Sequence, residues 1–444
     1  MPRVAVVGGG VTGLSAAFAL QSLRPDAEVV VLESGPRVGG KVGTHRIGGY
    51  TVEAGPNGFL DTSPAMKNLA RSVGLEASLV PASASASKNR FLLVDGRLRQ
   101  LPTGLLSFLG SDLLSPLGKL DLLMERFRRR KTSSREEPIA TFLRRRAGQE
   151  VARTLGDPFV TGILAGDPGL LSMQASFPRL AEMERAHGSI TAGMAANRVS
   201  GKRQRMWSLP GGLQALTDAV ASALRIPPRT SSPVREVRPA SGGWEVSGQR
   251  ADVVILACPA AAQAELLRPL SAELAREVGA IPYNGIAVVA LGYRRQDVPH
   301  PLDGFGYLTP QRERREVLGM QWCSSIFAGR APEGHVLLRA LCGGWHRRDL
   351  LGWSDDQLAQ AARREVALAL GARAEPVFTH IVRWPEAIPQ YFVGHLGRLE
   401  RIERLAGAFP GLILSGSAYR GVALNDCVEA GQAAAEKAAR LLSR

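Results

Sequence analysis

The stretch Val4-Ala5-Val6-Val7-Gly8-Gly9-Gly10-Val11-Thr12-Gly13 constrains the fold more than any other part of the chain. Four apolar, mostly β-branched residues suit a short buried strand. Gly8, Gly10 and Gly13 then supply G-x-G-x-x-G at a strand-to-helix turn. Gly8 permits the tight turn, Gly10 lets a pyrophosphate approach the backbone, and Gly13 lets helix and strand pack closely. A helix from about Leu14 to Leu23 would turn its positive N-terminal end towards the phosphates. Val29-Val30-Val31-Leu32 reads as a second parallel strand, closed by Glu33 twenty residues beyond Gly13. An acid there accepts hydrogen bonds from a ribose 2′-hydroxyl. Strand, glycines, helix, second strand and acid in register specify a dinucleotide site rather than a merely tight turn.

Arg37-Val38-Gly39-Gly40-Lys41 follows Glu33-Ser34 at once, and Glu53-Ala54-Gly55-Pro56-Asn57-Gly58 comes next. A cation and two flexible glycines suit a second backbone pass along a pyrophosphate, with Arg37 supplying charge. Here the chain resembles the FAD-containing amine-oxidase superfamily, whose members carry E-x-x-x-R-x-G-G at this point.

With 444 residues, 45% of them apolar, the chain should divide into two or three interleaved domains. Cys258, Cys323, Cys342 and Cys427 are scattered, which indicates neither zinc nor a disulfide framework and fits a reducing compartment. The motif starts almost at Met1, so no cleaved leader is expected. No apolar run of ~20 residues could span a bilayer. The formal charge is +15, and only seven of the 55 basic residues are lysine. No aromatic–basic stripe or recognition helix supports nucleic-acid binding. An anionic membrane surface or a polyacidic small molecule fits the charge better.

Pro64 to Gly74 should be helical, Ala82 to Ser87 a small polar stretch, and Asn89 to Val94 a strand turned at Asp95-Gly96. Arg90 enters that strand beside an aromatic, and spacing alone does not decide between a pocket cation and an edge charge. From Leu101 to Lys131, apolar residues including Leu105, Leu106, Leu109, Leu117 and Phe127 accompany Arg126, Arg128, Arg129, Arg130 and Lys131. Apolar loops beside a basic cluster suit a monotopic protein seated on a membrane interface. Residues 138–205 should be helical, broken at Ser176 to Pro178 and at Gly162 to Pro168, where a close backbone approach to a bulky ligand and a plain helix–helix turn weigh alike. A helix from Leu213 to Leu224 and strands at Ser232–Val237, Trp244–Val246 and Ala251–Ala257 return to the α/β pattern. Val234 is positioned to meet an adenine through its backbone. Strands at Gly285–Tyr293, Val336–Cys342 and His380–Trp384, with a helix from Asp355 to Leu370, form a second sheet unit. A last strand, Gly411 to Ser415, leads through Gly416–Cys427 to a helix from Val428 to Leu442, whose N-terminus would stabilise negative charge on a reduced flavin.

Asn89-Arg90-Phe91, Gly162-Ile-Leu-Ala-Gly166-Asp167, Ile388-Pro389-Gln390-Tyr391 and Gly421-Val-Ala-Leu-Asn425-Asp426-Cys427 complete a closer match. With the glycine motifs, they make the chain resemble the oxygen-dependent protoporphyrinogen oxidase family from residue 4 to about residue 431. The resemblance implies an α/β fold: a split Rossmann-like FAD-binding domain (1–60, 206–280 and 381–444), an inserted α+β substrate domain (61–98 and 281–380), and a helical membrane-binding domain (99–205). It implies non-covalent FAD held by Gly8, Gly9, Gly10, Val11, Thr12, Gly13, Glu33, Ser34, Arg37, Gly39, Gly40, Lys41, Gly55, Pro56, Asn57, Gly58, Val234, Trp384, Val422, Ala423 and Leu424. Arg90 would hold a propionate of the tetrapyrrole substrate, and Gly166 would approach it with its backbone. Leu308, Leu341 and Ile388 would sandwich the macrocycle. Two departures bear on the pocket: Gln321 stands where relatives usually place an apolar residue, and Thr161 where some have arginine.

The implied reaction is six-electron oxidation of protoporphyrinogen IX by molecular oxygen, with hydride transfer to the flavin and release of hydrogen peroxide. There is one dinucleotide fingerprint and no second one for a nicotinamide. No Ser/His/Asp or paired-carboxylate motif stands out, which is tolerable where the cofactor carries the hard step. Asp426 reads as a helix cap and Cys427 as a core thiol. No metal and no nucleic-acid partner are expected. The protein should be cytoplasmic, in peripheral contact with membrane lipid, and a homodimer stays open. The rivals are coproporphyrinogen III oxidation, another amine-oxidase-like flavoenzyme, and a non-catalytic flavin-carrying binding protein.

Overall fold

The computed structural model describes residues 1–131, 133, 135–198 and 204–443. Residues 199–203, at the end of the long helical stretch expected from sequence, lie outside the described residues. A four-stranded parallel sheet runs in the order Leu412–Leu414, Val253–Leu256, Arg3–Val7, Glu28–Leu32. Val4 stands beside Val29 on one side and Val253 on the other. Both faces of this sheet are covered, which is why its strands read as unbroken apolar runs. One face packs under the helices Val11–Leu23, Gln214–Ser222 and Leu424–Leu442, and the other under Ala260–Leu267 and Ala272–Gly279. The first and last helices touch at Gly431, where a Cβ would fall 2.4 Å from the Thr12 carbonyl oxygen.

The second sheet has seven strands: Phe378–Pro389, Tyr283–Arg294, His335–Gly343, Val317–Trp322, Gly306–Leu308, Phe91–Val94 and Arg97–Gln100. Its pairs are antiparallel except for Gly306–Leu308 with Phe91–Val94. One face is a closed core with the helix Asp355–Leu370, whose N-terminus is held by a Ser354/Gln357 capping box. The other face carries Ile286, Val288, Leu341, Val382 and Trp384 and meets the helical layer at Ala165.

That layer contains Leu105–Gly110, Pro116–Leu123, Ile139–Ala147, Asp157–Leu164, Pro178–His187 and Ile190–Arg198 around a small core of Ile139, Phe142, Val160, Leu164, Leu171 and Met173. Two of its arginines are structural. Arg146 is fully buried on Glu125 and the carbonyls of Glu125 and Arg128, while Arg145 bridges Glu137 and Glu184. Leu106 (86% exposed), Leu117 (75%) and Phe127 (74%) project from the layer beside exposed Arg126, Arg129 and Arg130. Among the described residues no helix is long and apolar enough to cross a membrane.

Several sequence-based boundaries shift. The strand expected at Ser232–Val237 begins only at Val237, because Pro233 has no N–H to give a ladder and Val234 stays irregular. Ser83 caps a short helix, Ala84–Lys88, that begins inside the small polar stretch Ala82 to Ser87. The terminal helix starts at Leu424 rather than Val428. The expected domain boundary at 380/381 falls inside the strand Phe378–Pro389, so Trp384 and Ile388 belong to the seven-stranded sheet.

Candidate active site

The first glycine turn is shaped by contacts that only glycine tolerates. Gly8 has φ +108°, and a Cβ there would sit 2.9 Å from the Cys258 nitrogen. A Cβ on Gly13 would lie 1.9 Å from the Gly8 oxygen. Over Gly10 the space is open, with only the Gly40 Cα at 4.0 Å. The helix Val11–Leu23 has Gly10 at its N-cap, no side-chain cap and no acid in its first turn, so its leading N–H groups await an acceptor.

Glu33 accepts from the N–H groups of Gly9 and Gly35, both at 2.7 Å, and from the Ser34 hydroxyl at 3.2 Å. Its oxygens keep lone pairs for a diol. The second glycine turn lies against the first, with the Gly39 N–H donating to the Gly9 carbonyl at 2.8 Å. Arg37 folds back on the carbonyls of Val38, Gly40 and Val42, so its fork shapes this turn as well as charging it. The Lys41 ammonium has no hydrogen-bond or ion-pair partner among the described residues and lies 5.0 Å from the Tyr283 ring centre. Burial pushes its pKa down to about 8, against the pull of Glu386 and Cys427.

A third glycine-bearing turn closes this region. A Cβ on Gly55 would strike the Lys41 oxygen at 1.9 Å, and one on Gly58 the Trp207 oxygen at 2.7 Å. Pro56 stiffens the turn between them. Asn57 is buried, and its Nδ2 finds no acceptor among the described residues. Neither the N–H nor the C=O of Val234 has a protein partner among the described residues. At Val422-Ala423-Leu424 the last helix begins, with Asp426 accepting from the Ala423 N–H at 3.0 Å as a cap. Burial pushes Cys427 up to about 11, which keeps it a thiol. Open backbone over Gly10, an uncapped helix start, unpartnered Lys41 and Asn57 donors and the Glu33 acceptor together match the chemistry of an adenine dinucleotide.

The turn at Gly166 abuts this region. Ala165 ends the helix Asp157–Leu164 at φ +46°, a left-handed conformation that costs a non-glycine residue about 1–2 kcal/mol. Asn284, fully buried, holds it there: Nδ2 donates to the carbonyls of Leu164 (2.7 Å) and Ala165 (2.9 Å), and Oδ1 accepts from the Ile388 N–H (3.1 Å). Gln390 adds a bond to the Leu164 carbonyl at 3.0 Å. A Cβ on Gly166 would lie 2.2 Å from Gln390 Oε1, an oxygen that has no donor among the described residues.

Leu341, Ile388, Trp384 and Ala165 share one apolar cluster. Leu308 packs beside it against Gly162, where a Cβ would be 2.6 Å from Leu308 Cδ1. Arg90 precedes the strand that pairs with Leu308. Its guanidinium lies 5.2 Å from the Phe305 ring centre, with no carboxylate partner among the described residues. Trp384 donates to the Ala54 carbonyl at 2.7 Å, so one strand touches the glycine-rich turn and the apolar cluster four residues apart. Thr161 is buried one turn before Gly166.

Sequence reasoning passed over Asn284 and the buried ions Glu53, Arg330 and Arg339. An asparagine beside an otherwise apolar strand was the available sign for Asn284. Nothing local marks the pairing of Glu53 with Arg330 at 3.3 Å.

The flavin containing amine oxidoreductase family matches residues 11–439. The chain belongs to that family. It is therefore a flavin-dependent oxidoreductase by membership. Human protoporphyrinogen oxidase is 34% identical, covering 97% of each chain. Coproporphyrinogen III oxidase of Bacillus subtilis strain 168 is 30% identical, covering 98% of this chain and 97% of its own. A crystal structure from Exiguobacterium sp. 255-15 superposes with a TM-score of 0.87 at 28% identity, covering 100% of this chain and 99% of that one. Cyclohexylamine oxidase from Brevibacterium oxydans shares the fold at a TM-score of 0.71 and 20% identity. Among the described residues, no three His, Cys, Asp or Glu side chains gather to hold a metal.

Proposed function

We propose that this flavoenzyme binds FAD non-covalently and oxidises a porphyrinogen to the porphyrin, with molecular oxygen as final acceptor and hydrogen peroxide as by-product. The observation that carries this reading is the strand Phe378–Pro389, which joins the glycine-rich turns through Trp384 and the apolar face through Ile388. A flat apolar floor beside a dinucleotide cradle, with a lone cation at Arg90, suits a tetrapyrrole with carboxylate arms better than a small amine. Six hydrogens leave the macrocycle as three two-electron steps, balanced by three oxygen molecules becoming three of peroxide.

The helix start at Val11, with Gly10, Gly39 and Gly40, would face the pyrophosphate, Glu33 the ribose, and Val234 the adenine. Gly55 to Gly58 and Val422 to Leu424 would flank the ring. When bound, the flavin supplies the hydride acceptor and returns the electrons to oxygen. The protein's own part is to exclude water, hold the macrocycle flat against Leu308, Leu341 and Ile388, and bring the Gly166 backbone against it. Electron-rich pyrrole nitrogens assist loss of a meso hydride, so the absence of an obvious general base is no obstacle.

Coproporphyrinogen III stands beside protoporphyrinogen IX as substrate, since relatives named for each match over nearly their whole lengths. Exposed Leu106, Leu117 and Phe127 beside Arg126, Arg129 and Arg130 support a peripheral seat on anionic lipid at the cytoplasmic face.

The test is to purify the protein, record its visible spectrum, and follow porphyrin fluorescence with both porphyrinogens under air. Yellow protein and growing fluorescence are expected. Protein that takes up no FAD refutes the cofactor reading; flavin-loaded protein that oxidises neither substrate refutes the substrate reading.

A further inference from the structure

Gln321 and Arg339 make a polar island on the apolar face of the seven-stranded sheet. Gln321 is the cross-strand partner of Arg339 on one side and of Gly306 on the other. Leu341 pairs with Gly319, which in turn pairs with Leu308. Side chains alternate along a strand, so Gln321, Arg339, Leu308 and Leu341 share one face, to which Gly306 and Gly319 add no side chain and where Leu308 folds over Gly319.

Arg339 is 4% exposed, yet no carboxylate hydrogen-bonds to it. Its Nη1 donates to Gln321 Oε1 at 2.9 Å, its Nη2 donates to the Gly55 carbonyl, and its Nε has no acceptor among the described residues. A guanidinium can only donate, so it fixes which end of the amide faces it. The Gln321 Nε2 is therefore turned away. It meets no acceptor among the described residues, and the residue is half-buried rather than sealed. Glu53, whose charge acts on Arg339, accepts from the Leu213 N–H and the Thr44 hydroxyl and lies 3.3 Å from Arg330. Two buried guanidinium groups thus share one carboxylate, and the surplus is a positive charge with unpaired donors.

We propose that Gln321, oriented by Arg339, is a specificity-determining residue that receives a substrate carboxylate, so that the enzyme favours a porphyrinogen bearing a propionate at this edge, as coproporphyrinogen III does, over one bearing a vinyl group, as protoporphyrinogen IX does. This rests on the porphyrinogen reading above. A vinyl group set against the amide leaves both donors without partners. A carboxylate satisfies Nε2 and offsets the charge behind it. Sites that present a buried donor reject analogues lacking the acceptor far more strongly than an apolar pocket rejects an extra polar group. Arg339 acts as a positioning residue.

The test compares wild type, Gln321→Met and Gln321→Glu on both porphyrinogens, reading kcat and KM separately and FAD occupancy from the visible spectrum. Wild type should prefer coproporphyrinogen III. Gln321→Met, nearly isosteric but without a donor, should lower kcat/KM for coproporphyrinogen by about tenfold to a hundredfold, mainly through KM. It should leave protoporphyrinogen nearly unchanged, with FAD fully bound. Gln321→Glu pairs with Arg339 and repels a carboxylate, so it should lose coproporphyrinogen activity at least as far. Equal losses on both substrates, or losses that follow weakened FAD, overturn the proposal and leave the pair as a support for the Gly55 turn. Flavin-loaded wild type that oxidises neither porphyrinogen fails earlier, at the reaction itself.

Discussion

Replacing Asn284 by alanine probes the Gly166 turn and the backbone at Ile388, the two places its side chain bonds. The side chain makes three hydrogen bonds, but their loss is unequal. The Leu164 carbonyl keeps its bond from Gln390 Nε2 at 3.0 Å, and the Ala165 carbonyl keeps one from the Trp345 N–H at 2.8 Å. The Ile388 N–H loses its side-chain acceptor, while the strand pairing of Asn284 with Ile388 remains. Each lost hydrogen bond costs about 0.5–1.5 kcal/mol. The space vacated by a fully buried side chain adds to this, so Asn284→Ala should destabilise the protein by about 2–4 kcal/mol. The melting temperature should fall by several degrees. Release of the clamp also lets Ala165 leave its left-handed conformation, which displaces Gly166. KM for the porphyrinogen should therefore rise while FAD occupancy holds. Two further variants isolate the cause. Ala165→Gly in the Asn284→Ala background removes the left-handed penalty and should recover about 1 kcal/mol. Asn284→Asp keeps the acceptor for Ile388 but sets a carboxylate against two carbonyl oxygens, so it should be worse at pH 8 than at pH 6. Thermal melts, flavin absorbance and porphyrin fluorescence read all three. An Asn284→Ala protein with wild-type melting temperature and KM refutes the clamp.

Arg90→Ala should raise KM about tenfold to a hundredfold with kcat and flavin spectrum nearly unchanged, as expected for one lost charged hydrogen bond to a carboxylate; an unchanged KM removes Arg90 from the pocket. Lys41 has a folded-state pKa of about 8 against an ordinary 10.5. Between those values the unfolded chain binds more protons, so the apoprotein gains stability as pH rises from 8 to about 10.5. FAD phosphates favour the charged amine, so FAD affinity should fall as pH climbs past 8, and Lys41→Met should flatten that slope in calorimetric titrations. An equally steep slope in the variant shows that another group titrates. Changing Leu106, Leu117 and Phe127 together to Ser should weaken flotation with anionic vesicles about a hundredfold, taking each as half-buried in lipid. Equal flotation of variant and wild type means these side chains are not the anchor.

The glycine turns were legible because most of their constraints are local. Gly8 must adopt φ +108° and Gly13 must pass the Gly8 oxygen, both within the turn, and Glu33 falls where the second strand must end. Helix and strand identities followed from periodicity, as at Asp355–Leu370. Boundaries slipped where one residue outweighs a pattern: Pro233 delays a strand, and Asp426 starts the last helix earlier than its apolar repeat does. The strand Phe378–Pro389 outruns its apolar pattern because Pro385 and Glu386 break the run, while pairing with Tyr283–Arg294 resumes beyond them at Ile388 and Pro389.

What the sequence hid is the set of bonds that joins distant segments through groups with no motif of their own. Asn284 reaches back about 120 residues to Leu164 and Ala165, Arg339 reaches 284 residues to Gly55, and Trp384 reaches 330 residues to Ala54. Each such bond ends on a backbone carbonyl, and a carbonyl carries no side-chain signature. These bonds tie the glycine-rich turn at Gly55 and the turn at Gly166 to one sheet. Arg339 and Trp384 hold the first, while Asn284, against the last turn of the strand at Ile388, holds the second. On the reading proposed above, a shift of the Gly55 turn on filling the cradle would pass through Arg339 to Gln321. Substrate discrimination and cofactor support would then meet at one buried guanidinium, and a substitution at Gln321 should alter the first while leaving the Gly55 carbonyl bonded.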